Sequence, residues 1–286
     1  TFLEWKNILQ NNHIEVKEDK MNKCFICNND SKFYFSKQFN EFGLKRVEYF
    51  KCPQCGFVFS KTHNEMNYNK WEKLNIAFHV TVANPNAMKS GIRRPPPYFE
   101  QAAMLNVLHK NKIINLDSSI DWGSGYGTLS KILDKYYGIK IKNYDKYMLP
   151  QENSLSSCEI AGRRFKTVIN SAVFEHVTKR QDLDEINSFV SEEGCLVIHT
   201  VVCEEIPRDP NWFYLLPVHC AFYTNKSMGI LMDQWGYSSS IYCPTAKTWI
   251  LFKNTPKNIE LIVEFINMEF QANYLYFKTG FVDYWK

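Results

Sequence analysis

Ile120-Asp121-Trp122-Gly123-Ser124-Gly125-Tyr126-Gly127-Thr128 is the stretch whose reading decides the fold. A short apolar run enters it and three alternating glycines turn it. Leu129, Ile132, Leu133 and Tyr136 then recur at helical spacing as far as Gly138, a suitable C-terminal cap. The unit is strand, glycine turn, helix. Glycine lets the backbone approach a ligand closely, and the first turn of a helix offers N–H groups without intrahelical partners.

The dinucleotide pattern G-x-G-x-x-G requires glycine where this chain has Thr128. Asp121 stands two residues before the first glycine instead. A carboxylate at that strand tip repels a pyrophosphate and suits a cationic amino-acid head group. Residues 139–145 alternate apolar and polar as a strand does and end on Asp145. An acid roughly 20 residues beyond the glycine turn is placed to hold ribose hydroxyls. The D-x-G-x-G-x-G pattern resembles the first motif of class I S-adenosylmethionine (SAM) methyltransferases. A plain glycine-rich turn in another α/β unit is the alternative that the motif alone leaves. The resemblance implies an α/β fold, a Rossmann-like seven-stranded sheet. It also implies SAM held by Asp121, Gly123, Gly125, Gly127 and Asp145, with Asn170 facing it from the tip of the fourth strand.

Upstream, Cys24-x-x-Cys27 and Cys52-x-x-Cys55 are separated by 24 residues. Two such knuckles predict a tetrahedral four-thiolate zinc site, and the aromatic-rich runs at 32–39 and 46–51 supply the hairpin of a small zinc-ribbon-like module. A redox pair needs one C-x-x-C opening a helix, not two knuckles. Four thiolates leave no open coordination position, so the expected Zn2+ is structural.

The chain has 286 residues, 45% hydrophobic and 15% aromatic, with a formal net charge of +4. That is enough to bury one large core with an appendage. The lysines are scattered and Arg93-Arg94 is the tightest basic pair, so a nucleic-acid partner is not expected. No run approaches the roughly 18 apolar residues of a membrane span, and no stretch of the sequence reads as a secretory signal. Nine cysteines without such a signal favour a reducing compartment. A cytoplasmic enzyme is the expectation.

Four segments follow. Residues 1–60 comprise a short helix carrying Phe2, Trp5, Ile8 and Leu9, then the zinc module. Residues 61–97, with little regular pattern and with Asn84-Pro85-Asn86 and Arg93-Arg94 before three prolines, form a linker or lid. Tyr68, Trp71, Phe78 and His79 serve there as lid residues or as plain packing. Residues 98–254 form the SAM domain, with strands at 119–122, 139–145, 165–170, 195–202, 239–243 and 248–252. Residues 146–164 are short and polar and offer only Glu159 near the position where the family places an acid for adenine. Residues 255–286 form an extension that packs outside the sheet or against a partner subunit, which leaves a homo-oligomer open.

The four-cysteine module followed by Glu175-His176-Val177 after the fourth strand resembles methyltransferases acting on nucleotide-linked sugars. In their C-methylating members the loop after the fifth strand carries a Glu-His pair and a tyrosine. Here that loop keeps His219 but has Val218 and Leu216 at the other positions. One base remains, enough to deprotonate a hydroxyl. O-methylation of a saccharide, nucleotide-linked sugar or related small polar metabolite is therefore expected. Sugar C-methylation, and RNA base methylation with the ribbon holding RNA, are the alternatives. His219 is the expected general base, since a neutral imidazole with a pKa near 6.5 accepts a proton at physiological pH. His176 is second, with Glu175 capping its turn. Trp212, Phe213, Tyr214 and Tyr223 are placed to stack on a sugar ring.

Overall fold

The computed structural model describes residues 22–81, 95–148, 150 and 152–283. The helix expected within 1–20, and Asn84-Pro85-Asn86 and Arg93-Arg94, lie outside these residues. The N-terminal strands are β1 (Asn22–Lys23), β2 (Asp30–Phe39), β3 (Lys45–Lys51) and β4 (Val58–Ser60), followed by helices α1 (Lys61–Asn64), α2 (Tyr68–Thr81) and α3 (Tyr98–Lys110). Then come β5 (Ser119–Trp122), α4 (Thr128–Tyr137), β6 (Lys142–Tyr144), α5 (Ser157–Ile160), β7 (Phe165–Ser171), a 3-10 turn (Phe174–His176), α6 (Arg180–Ser188) and β8 (Val190–His199). The remainder is β9 (Val202–Cys203), β10 (Ala221–Thr224), α7 (Asn225–Gln234), β11 (Ser239–Cys243), β12 (Thr248–Phe252), α8 (Ile259–Phe270) and β13 (Tyr276–Thr279).

Seven strands form the larger sheet in the order β13-β11-β12-β8-β7-β5-β6. β6, β5, β7 and β8 run parallel, while β12, β11 and β13 close the far edge antiparallel. Strands buried on both faces read as apolar runs, with neighbours in sequence pointing to opposite sides. Val168, Leu196 and Leu251 lie in one core with Leu183 and Ile186 of α6 and Met228 and Leu231 of α7. Ile169, Val197 and Ile250 lie in the other, with Leu105 of α3, Leu133 of α4 and Val263 of α8. Helices thus cover both faces, and the expected seven-stranded α/β sheet is the architecture observed.

The seventh strand, β13, comes from the C-terminal segment and pairs with β11. Among the described residues, 146–164 contribute α5 and, to the sheet, an isolated bridge from Ser154 to Asn143 beside β6. The fifth-strand run also divides. β8 ends at His199, and Val202–Cys203 leaves to pair with β10 in a second sheet.

That second sheet has the order β1-β2-β3-β4-β10-β9. β10, from beyond residue 220, pairs antiparallel with β4 of the cysteine module. Thr224 donates to the Cys55 carbonyl at 2.5 Å, and Gln234 of α7 to the Ile26 carbonyl at 2.9 Å. Cys24, Cys52, Cys55 and Phe57 accordingly sit in the same core as Ile198 and Trp249. The ribbon is built into the larger sheet's covering layer.

Where the sequence suggests little regular structure, residues 68–81 form the four-turn helix α2. Trp71, Leu74 and Phe78 face inward. Exposed Ile76 and Val80 on other faces dilute that stripe, which is why the period is hard to see. Among the described residues no helix is long and apolar enough to cross a membrane.

Candidate functional site

Gly123, Gly125 and Gly127 all adopt left-handed backbone, with φ of 79°, 54° and 64°. Side chains are strained there, so the alternating glycines are a requirement of this turn. Gly123 and Ser124 both donate to the Tyr144 carbonyl, at 2.8 and 3.1 Å, tying the turn to the end of β6. A Cβ on Gly123 would strike the Val173 side chain, whereas one on Gly125 would meet nothing within 4 Å. The first glycine serves packing; the second opens on a cleft.

The cleft lies at the carboxyl ends of β5, β6 and β7, where ligands bind in open α/β sheets. Gly123 to Tyr126, Asp145 to Tyr147, and Ser171 to Val173 line it. Asp145 binds the turn directly: Oδ2 accepts from Gly125 N at 2.8 Å, and Oδ1 from the amides of Tyr147 and Met148 at 2.8 and 2.9 Å. Asp121 lies beneath, 3% exposed. Burial, with a further push from the Asp145 charge, raises its pKa to about 7. Salt-bridge partners of Asp121 are absent among the described residues.

Asn170 does not reach the cleft. Its side chain is fully buried and donates to the Trp122 carbonyl at 3.2 Å, so it clamps β7 to β5. Ser171 and Ala172, one step on, line the wall. Ala172 has a φ of 59°, an uncommon conformation for a residue with a side chain. That kink carries the 3-10 turn back across the mouth of the cleft and presents His176 to it.

The two histidines named from sequence meet, with ring centroids 4.9 Å apart at 74°. His176 is half-buried and lines the cleft. His219 is fully buried behind it, its Nδ1 donating to the Tyr214 carbonyl at 2.8 Å. Direct contact between His219 and an acceptor is therefore not what this geometry offers, because His176 stands in the way. Glu175, expected only to cap a turn, completes the group. Its carboxylate accepts from Thr200 Oγ1 at 3.0 Å and from the Tyr214 hydroxyl at 2.7 Å.

The aromatic loop is a core element. Trp212 and Tyr214 pack on Phe222, Tyr223 is fully buried, and Phe213 points to solvent at 74% exposure. None of the four lines the cleft, so the expected stacking platform is absent. The aromatic wall comes instead from Trp71 on α2 and from Tyr98 and Tyr147. His79, also on α2, stacks on His176 with centroids 5.7 Å apart. Asp182 and Glu185 of α6 line the outer wall. Adjacency in sequence gives no sign of these last contributors.

The four cysteines of the two knuckles converge. Sγ atoms of Cys24 and Cys55 are 3.6 Å apart and those of Cys27 and Cys52 are 3.4 Å apart, with all four within 4.8 Å of one another. Zinc–sulfur bonds of about 2.3 Å give a tetrahedron with edges of about 3.8 Å, so the spacing fits this ion. Cys24 is drawn down to about 6, first by the hydrogen bond from the Cys55 thiol, which gives it thiolate character. The knuckle turns are closed by Asn28 N to Cys24 O at 2.8 Å and Gly56 N to Cys52 O at 2.9 Å.

No family model and no curated protein matches the chain. Among solved structures it is similar to a plantazolicin methyltransferase in complex with SAH, at 12% identity over 72% of this chain and 94% of that one, with a TM-score of 0.43. It is also similar to the magnesium protoporphyrin IX methyltransferase of Synechocystis PCC 6803 with bound SAH, at 13% identity over 65% and 87% of the two chains, TM-score 0.33. A mitomycin 7-O-methyltransferase is similar at 13% identity over 63% and 66%, TM-score 0.33.

Proposed function

We propose that the chain is a SAM-dependent methyltransferase acting on a hydroxyl of a small, uncharged polar acceptor, a saccharide being the best fit. The observation that carries this reading is the buried, salt-bridge-free Asp121 under a left-handed glycine turn whose Gly125 faces open space. That combination suits a cationic ligand with its backbone-hugging part on the turn. Asp121 takes the charged head, the glycines allow the approach, and Asp145 fixes the loop beside the ribose. Bound SAM supplies an electrophilic methyl carbon on a sulfonium that departs as a neutral thioether.

The chain's remaining tasks are to align the acceptor and to remove its proton as the bond forms. His176, the cleft-facing member of the Glu175-His176-His219 group, takes the latter role, with His219 supporting it from behind. Trp71 and Tyr98 supply flat apolar contact for a ring, and Asp182 and Glu185 accept hydroxyl hydrogen bonds. Among the described residues, the carboxylates of Asp121, Asp145, Asp182 and Glu185 line or underlie the cleft, and Lys146 is the one lysine or arginine in its lining. Such a wall disfavours a diphosphate, so a free saccharide suits it better than a nucleotide-linked one, and RNA suits it least. The structural zinc of the four thiolates holds the ribbon that carries α2 to the cleft.

Calorimetry with SAM, followed by a turnover screen of saccharides, nucleotide sugars and RNA read by product mass, tests the reading. Binding of SAM and a mass gain of one methyl on a neutral polyol are expected. No SAM binding by folded protein would overturn it.

A further inference from the structure

We propose that Glu175, His176 and His219 form a second metal site, distinct from the four thiolates, for a divalent transition-metal ion that accepts imidazole and carboxylate ligands. Their donor atoms lie within 4.8 Å of one another. Donors held at about 2.1 Å from one ion stand roughly 3–4 Å apart, a spread that side-chain rotation closes from here. Two histidines and one carboxylate on one side of an ion form a facial set with open positions, the ligand mixture that zinc and iron(II) accept.

The surroundings are those of a ligand set held in advance. His219 donates from Nδ1 to the Tyr214 carbonyl, which fixes the tautomer with the Nε2 lone pair turned away from that bond. Tyr214 and Thr200 hydroxyls each bind one oxygen of Glu175, orienting the carboxylate while leaving each oxygen a further lone pair. The Tyr214 hydroxyl also accepts from Val201 N at 3.2 Å, so its own direction is set. Glu175 is 2% exposed and His219 0%, so both donors are shielded from bulk water. His176 borders the cleft, so the open positions of the ion face the acceptor side. With the ion bound, His176 is a ligand and no longer the base, and the ion takes over that task, since a hydroxyl bound there ionises more readily than one in water. Binding of the ion is independent of the methyl-transfer reading, and only its use there rests on that reading.

The test uses the full chain with its four-thiolate zinc in place. Cobalt(II) is added and followed by equilibrium dialysis with elemental analysis and by visible spectroscopy. A second ion per chain is expected, with weak d–d bands and no sulfur charge-transfer band. His176→Asn and Glu175→Gln should each weaken it at least ~10-fold while zinc content and SAM affinity stay unchanged. Tyr214→Phe keeps all three donors and should weaken it about 10-fold, which guards against misfolding of the donor variants. Wild-type protein that takes no second ion, or variants that bind it as well as wild type, would overturn the site. Loss of turnover in His176→Asn without any cobalt binding would mean a proton relay instead and equally overturn it. Cobalt binding without SAM binding would retain the site and remove the methyl-transfer reading.

Discussion

Gly123 and Gly125 occupy similar backbone but answer to different neighbours. Gly125→Val projects a branched side chain into the cleft. SAM affinity by calorimetry should fall at least ~10-fold with a small change in melting temperature, near the ~1 kcal/mol cost of a left-handed non-glycine. Gly123→Ala instead forces a Cβ against Val173. Its loss should appear in denaturant unfolding, about 1–3 kcal/mol, more than in affinity per folded molecule. Asp121 carries the pH dependence. Its folded pKa, about 7, lies above the ordinary 3.8, so the stability it contributes is complete below about 4 and is lost as pH rises to 7. Affinity for a cationic ligand moves the opposite way, since only the ionised carboxylate attracts it. SAM affinity should rise between pH 6 and 7.5 in wild type and stay level in Asp121→Asn; equal slopes in the two would remove Asp121 from the head-group role.

Two elements connect the ribbon to the larger sheet. Thr224 ends β10 and caps α7, accepting from Ser227 N at 3.1 Å while donating to the Cys55 carbonyl. Thr224→Val removes both bonds and should cost about 1–2 kcal/mol by denaturant unfolding. The helix α2 lies over the cleft, with Trp71 and His79 among the lining residues. Trp71→Ala deletes the flat surface that the proposed acceptor would meet. KM for the acceptor should rise several-fold while SAM affinity by calorimetry holds. A SAM affinity reduced in parallel would make α2 a support of the cofactor side instead.

At the scale of the whole molecule, the cysteine module and the larger sheet share one core. Cys52 and Cys55 pack in the cluster that holds Ile198, Tyr223 and Trp249. Loss of the metal therefore removes support from one face of the sheet, since binding free energy at a structural zinc site is folding free energy. Chelation, or Cys52→Ser, should lower a single melting transition, with far-UV and near-UV circular dichroism sharing one midpoint. Two separated transitions, the later one unshifted, would mean that the ribbon folds on its own.

What the sequence determined by itself is local chemistry with a fixed spacing. Three glycines within five residues permit a left-handed turn, acids at 121 and 145 stand at strand ends, and two C-x-x-C knuckles point to four converging thiolates. Each signal lies within a few residues, so each is legible without knowing the fold. Only the tertiary structure decided the rest. The edge strand β13, the pairing of β10 with β4 and the conversion of the aromatic loop into core depend on contacts between residues far apart in the chain. So does the order of the histidines: residues 176 and 219 are 43 positions apart, and only the packing of the loop beneath the 3-10 turn sets His176 in front. Hydrophobic burial has no direction along the sequence, which is why an aromatic run reads equally well as a binding surface or as the interior that it is.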